Sequence, residues 1–357
     1  MKTYCALPLI SSVLAIGLYP ALYTCAAGRT TETANVNLID GLSERVYWSD
    51  DVEKEGRSLF TEEQRMIFAN KARTQRVVKL QIGCGRMKNR LATLEDGTKA
   101  CCRYRDNPNE LSGDLYSYYF NNLLDMWNIP PTTMVHIDFA SEQWRSVIDA
   151  ANVAGWEDNS DVIMIQYIEG LTSENIPDIL KTENSVLSQS SVNNLTVNEQ
   201  VRLMQWTDMI VFDFIIGQTD RLFNTLLNAQ WNSHMMEKPV HNLEKSQDGR
   251  LVLIDNELGF WLGYVAAANK PQNYDFQVAF LNRICIFRKS TVGNIFQLHQ
   301  SQHSDTVLEQ YMQSVDLQSY KSVRRMNMRN RQEFVVRLGK VLDRIRQCSL
   351  KLTPTVT

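Results

Sequence analysis

Hydrophobic and polar positions follow two rhythms along this chain, and the change between them divides it. Short apolar runs bounded by turn residues fill the first half: Val77 to Leu80, Leu91 to Leu94, and Lys99 to Tyr104 after the turn Asp96-Gly97. Runs of that length and spacing predict a small antiparallel meander. Phe60-Thr61-Glu62-Glu63-Gln64 opens a helix with Thr61 as its cap. Apolar residues from Gly113 through Leu124 recur at helical spacing until Pro130-Pro131 stops them. Val162 to Ile168 is again of strand length and is closed by Glu169-Gly170. The second half reads mainly as helix. Thr196-Val197-Asn198-Glu199 is a capping box, with Thr196 at the cap and Glu199 reaching back. The helix it opens runs through Trp206 to about Ile216 and is apolar on most faces, which predicts burial. From Asn330 to Gln347 the residues Phe334, Leu338, Val341, Leu342 and Ile345 share one side. Asn228 to Gly249 is polar and aperiodic and reads as a loop insertion. The expected class is α+β, strands with a helix first and a helical body after.

The extreme N-terminus has a pattern of its own. No charged residue occurs from Thr3 to Gly28, Lys2 supplies a positive start, and Ala6 through Leu22 is apolar. Cys25 and Ala27 are small residues at the spacing of a signal-peptidase site. Residues 1–27 are expected to be a secretory signal cleaved after Ala27 or, alternatively, an uncleaved membrane anchor. The run is just long enough for a bilayer core of about 30 Å, although Pro8 and Pro20 make a poorer spanning helix. Residues 28–59 read as a polar stem ending in a short helix near Val46-Tyr47-Trp48.

Entry into the secretory pathway makes the cysteines informative. Outside the signal segment these are Cys84, Cys101, Cys102, Cys285 and Cys348. Neighbours on a strand point to opposite faces, so Cys101 and Cys102 serve different partners. The expected pairs are Cys84–Cys101 and Cys285–Cys348, with Cys102 a buried thiol. No CxxC pair favours zinc. Asn194-Leu195-Thr196 is a glycosylation sequon. A charged fraction of 22% and a hydrophobic fraction of 44% describe a globular chain. The net charge of -3 argues against a general nucleic-acid binder, which needs a basic surplus.

Two acidic positions follow buried elements. Asp220 stands in Gly217-Gln218-Thr219-Asp220-Arg221, after the apolar helix. Asp255 ends the apolar strand Leu251-Val252-Leu253-Ile254 and opens Asn256-Glu257. A buried element that releases an acid into a loop can aim it at a cleft. Phosphoryl transfer needs two such carboxylates, one to orient the attacking hydroxyl and accept its proton, one to hold a divalent cation on the phosphates. The plainer alternative is that both cap turns. Arg103 is a candidate phosphate partner. Asp114, at the start of the next helix, can pair with Arg103 or reach the metal. Gly83-Cys84-Gly85 is half of a glycine-rich phosphate loop or a constrained hairpin. His299 and His303 have the spacing of a helical zinc pair but lack the glutamate base, so a solvated helix face is the better reading. No Gly-x-Ser-x-Gly elbow supports a hydrolase.

Cys84-Gly85-Arg86, Asp96-Gly97-Thr98-Lys99-Ala100-Cys101-Cys102-Arg103-Tyr104, Ser117-Tyr118-Tyr119, Gln205-Trp206-Thr207-Asp208, Asp220-Arg221-Leu222 and Asp255-Asn256-Glu257 occur in this order. Together they closely resemble the Four-jointed family of Golgi kinases, from about Trp48 to about Cys348 and including Cys285-Ile286-Phe287-Arg288. The resemblance implies a two-lobed atypical kinase fold shared with other secretory-pathway kinases, with an N-lobe over 60–168, a C-lobe over 169–352 and a tail at 353–357. It implies ATP and manganese or magnesium as cofactors. It implies lumenal or secreted serine/threonine kinase activity on cadherin repeats of the protocadherins Fat and Dachsous, which tunes planar polarity and growth. Asp220 matches the catalytic aspartate, Asp255 the metal-binding aspartate, and Arg103 the nucleotide lysine of wider relatives. Asp114 falls where relatives have a helix glutamate one methylene longer, so either the helix shifts inward or a water bridges the gap. Thr225 falls where an ordinary kinase has its second metal ligand, with Asn224 one position earlier. These two departures motivate the alternative of a binding protein without turnover on the same scaffold.

Overall fold

The computed structural model describes residues 42–352 apart from 57, 183 and 184. The expected signal or anchor, the first part of the stem and the tail lie outside the described residues. Among the described residues no helix is long and apolar enough to cross a membrane.

Five strands form the first sheet: β1 (Val77–Ile82), β2 (Arg90–Leu94), β3 (Lys99–Arg103), β4 (Thr132–Ile137) and β5 (Ser160–Gln166). Their order is β1-β2-β3-β5-β4, and every neighbouring pair is antiparallel. The meander is β1 to β3, as its turn residues predict, and Gly97 takes the positive φ of the turn. β4 is an addition to the predicted set. The helix Glu62–Thr74, with the expected capping box at Thr61, lays Phe68 and Ala72 on one face of the sheet against Val77, Leu94, Val135 and Ile137. Trp144 and Trp156 close the same core.

The second lobe is built round the helix Val197–Ile216, in which every residue from Leu203 to Ile216 is buried. Its Gln205-Trp206-Thr207-Asp208 stretch ties it to separate neighbours. Gln205 accepts from the Leu251 backbone, the Trp206 indole donates to Glu174, Thr207 accepts from the Trp48 indole, and Asp208 pairs with Arg288 at 2.8 Å. Polar side chains inside an apolar helix thus find partners on neighbouring segments instead of water. The helix Met328–Leu352 lays Phe334, Leu338, Val341, Leu342 and Ile345 into the same core. Both expected disulfides are present, and Cys102 is a buried free thiol.

Four expectations change. The helix through Asp114 starts five residues early, at Pro108 behind the cap Asn107, so Asp114 lies inside it. The end of the stem carries the expected short helix, Glu44–Val46, but it is packed into the body: Val46, Tyr47 and Trp48 are buried, and Trp48 and Val46 exchange backbone hydrogen bonds with Phe287. The polar stretch 228–249 contains a strand, β7 (Pro239–Lys245), between β6 (Thr172–Asn175) and β8 (Leu251–Leu253) in a second antiparallel sheet. Only Val240 and Leu243 of β7 are buried, which left no apolar alternation to detect. The histidines do not share a helix, since one helix ends at Gln300 and His303 precedes the next.

Candidate active site

Gly217 ends the buried helix in a left-handed conformation, and the chain turns into Gln218-Thr219-Asp220. β8 runs into Asp255, which itself has a φ of 56°. One amide joins these two loops. Gln218 Oε1 accepts the Asp220 backbone N–H at 3.1 Å, and its Nε2 donates to the Asp255 carbonyl at 3.0 Å. Arg221 has no exposed surface and makes a second join, donating to the carbonyls of Asn242 and Ile254 and to Asn256 Oδ1. The two acids therefore belong to one braced unit although 35 positions separate them.

Arg103, at the end of β3, crosses from the sheet to this unit. Its Nη1 is 2.7 Å from Asp255 Oδ1, 3.2 Å from Asp114 Oδ2 and 3.8 Å from Glu257 Oε2. Asp114 Oδ1 accepts the Asn256 backbone N–H at 3.0 Å. The short aspartate reaches both because its neighbour is glycine: a Cβ on Gly113 would stand 2.2 Å from the Glu257 carbonyl oxygen. The helix sits close to the Asp255 loop, in the inward arrangement, with no gap for a water to bridge.

Three guanidinium groups (Arg86, Arg103 and Arg105) meet four carboxylates (Glu110, Asp114, Asp255 and Glu257) in this cluster. Burial, and after it the carboxylates' effect on one another, raises two of these acids. Burial raises the Asp114 carboxyl above its usual range despite Arg103, and Asp255 adds to the rise. Burial, Asp255 and Asp114 raise Glu257. Burial pulls Asp255 upward, but the charge and hydrogen bond of Arg103, with the charges of Arg105 and Arg86, together leave it lowered. A cation beside Asp114 and Asp255 would relieve the repulsion. Among the described residues no group of three or more His, Cys, Asp or Glu side chains is placed to hold a metal. Two carboxylates completed by phosphate oxygens and water are nevertheless a normal donor set for a hard divalent ion.

A cleft of about 310 Å³ opens in front of Arg103, Asp114 and Asp255. That is within the range of sites for small ligands, roughly 300–1,000 Å³. Its apolar wall includes Ile129, Ile165, Ile168 and Leu253, and Cys84 and Gly85 of the half glycine loop form its rim. The Cys84–Cys101 bridge fastens that rim to β3. Asp220 is partly exposed, and its carboxylate is held by three side chains. Asn224 donates to Oδ1, Asn242 donates to Oδ2 at 3.0 Å, and His241 Nδ1 lies 3.4 Å from Oδ2. Thr225 points inward and is buried. Sequence reasoning missed Gln218, Asn242, His241, Arg105 and Glu257. The Asp-Asn-Glu motif marked Glu257 without assigning it a role; the rest carried no local signal.

Two lobes, an antiparallel sheet with a crossing helix, and an acid-lined cleft at their junction define a protein of the atypical kinase fold. A crystal structure of the Golgi casein kinase with Mn/ADP bound matches with a TM-score of 0.54 at 11% identity over 94% of each chain. The Four-jointed box protein middle domain matches residues 63–351, and the chain belongs to the Four-jointed box family. Four-jointed box protein 1 of Xiphophorus maculatus is 38% identical over 275 residues, 76% of this chain and 64% of that protein. The extracellular serine/threonine protein kinase four-jointed of Drosophila melanogaster is 29% identical over 72% of this chain and 52% of its own length. The chain thus spans between half and two thirds of the length of these relatives.

Proposed function

We propose that this chain is a serine/threonine protein kinase of the secretory pathway, acting in the Golgi lumen or after secretion on cadherin repeats of Fat- and Dachsous-type protocadherins. Support comes from the family, from the kinase named in Drosophila, from the Mn/ADP held by the structural relative, and from two disulfides suited to an oxidising compartment. The observation that carries the reading is the Gln218 amide, which ties the backbone of Asp220 to that of Asp255, the acid that lines the cleft with Arg103 and Asp114.

The apolar wall suits a nucleotide base, and Arg103 faces the phosphates at the inner end. Asp255 and Asp114 are the residues that would hold manganese or magnesium. Such an ion neutralises phosphate charge when bound. Asp220 orients the substrate hydroxyl. The hydroxyl oxygen bonds to the terminal phosphorus of ATP as the bond to the bridging oxygen breaks, the proton passes to Asp220, and ADP leaves. Orientation and fixed charge supply most of the acceleration. Purified protein with Mn–ATP is expected to label a cadherin-repeat fragment. Asp220→Ala should lower the rate by about 10²–10⁴-fold. Equal labelling by that variant would refute the assignment.

A further inference from the structure

The stretch between Asp220 and Asp255 has no part in the chemistry above, yet it touches the catalytic carboxylate. Asn242, in the middle of β7, has a φ of 58°. Non-glycine residues held there carry a conformational cost that the surroundings must impose, and asparagine bears it better than most. The surroundings are specific. Its side-chain Nδ2 donates to Asp220 Oδ2 at 3.0 Å. Its carbonyl accepts from Arg221 Nε at 3.0 Å and from the Ile254 N–H at 3.2 Å. It also lines the cleft beside Asp255. One residue thus meets the base, the buried arginine behind it and the strand end that delivers the metal-binding acid. Asn224 takes the other Asp220 oxygen, so amide donors on both sides set the rotation of that carboxylate.

We propose that Asn242 is a positioning residue for phosphoryl transfer, fixing the Asp220 carboxylate and coupling it to the end of β8. It acts through Asp220 and not on the substrate. The inference rests on the kinase reading. It also gives the polar insertion a purpose, since β7 exists between the two motifs to return a donor to the first of them.

The test uses the whole purified chain, Mn–ATP and a cadherin-repeat fragment. Asn242→Gly keeps the left-handed backbone without its cost and removes only the amide. It should lower kcat by about 100-fold while KM for ATP stays within about twofold and thermal unfolding is not lowered. Asn242→Asp sets an acceptor where a donor stood, facing Asp220 and its other titratable neighbour His241. The acid limb of its pH–rate profile should move up by about one unit, which a merely structural role would not produce. Wild-type kcat in Asn242→Gly, or an unmoved profile in Asn242→Asp, overturns the inference while wild type remains active and Asp220→Ala inactive. A wild type that transfers no phosphate overturns this inference together with the kinase reading. Should Asn242→Asp fail to fold, the glycine variant decides alone.

Discussion

Arg221 has no exposed surface, so its charge must be answered inside the protein. Asp213, eight positions earlier in the last turn of the buried helix, answers it through Oδ1, while among the described residues Asp213 Oδ2 has no hydrogen-bond partner. Burial pushes the Asp213 carboxyl up to about 6 against the pull of Arg221. In the unfolded chain it titrates near 3.9. Between those values the folded state binds the extra proton, so the stability from this group is full below about pH 4 and lost as pH rises past about 6. Asp213→Asn abolishes the titration. Urea unfolding of both proteins should show wild type losing roughly 2 kcal/mol relative to the variant from pH 4 to pH 7. A constant difference across that range would show that Arg221 holds the carboxylate ionised throughout. At this scale the sequence was legible where an apolar element released an acid into a loop: Asp220 follows the buried helix, Asp255 follows β8, and Asp255 lines the cleft. Asn242 was not legible, because its partner lies 22 positions away and nothing in a polar stretch distinguishes a donor to Asp220 from a solvated amide.

Among the elements, the helix Pro108–Leu123 governs how close the two lobes come at the site. Gly113 lies against the Glu257 backbone, and Ser117, one turn on, donates to the Asn256 carbonyl at 3.3 Å. Gly113→Ala puts a methyl group 2.2 Å from a carbonyl oxygen. The helix or the Asp255 loop must give way, at a cost of about 1–3 kcal/mol. The movement would also draw Asp114 from Arg103 and from the Asn256 N–H. Chemical denaturation should report the loss of stability, and calorimetric titration with Mn–ADP should report weaker binding. Unchanged binding with lowered stability would place Gly113 in packing alone. The same helix shows how elements were read and misread. Its apolar residues predicted it, but its first five residues, Pro108 to Ser112, hold a single leucine, and the cap Asn107 with Pro108 marks the true start. β4 follows Pro130-Pro131, a pair that reads as a stop, and starts at the next residue. β7 is half exposed and strained at Asn242, so its tertiary pairing overrides a composition that predicts loop.

For the whole molecule, the two disulfides separate stability from the site. Cys285–Cys348 closes 63 positions and fastens the last helix to the segment whose Phe287 holds Val46 and Trp48. Cys84–Cys101 closes 17 positions and fastens the cleft rim to β3, two residues from Arg103. Loop entropy assigns about 4 kcal/mol to the longer bridge and about 3 to the shorter. Replacing Cys285 and Cys348 by serine should therefore lower the unfolding free energy more, and it should open the packing of residues 46–48 first. Hydrogen exchange at the Trp48 amide would register that opening, since its acceptor is the Phe287 carbonyl. Nucleotide affinity of the molecules still folded should not change, because neither cysteine approaches the cleft. Replacing Cys84 and Cys101 should show the reverse balance, a smaller loss of stability and a clear loss of affinity as the rim is released. If neither replacement changed the nucleotide affinity of the molecules still folded, the rim would have no separate role, and the two bridges would act only by restraining the unfolded chain.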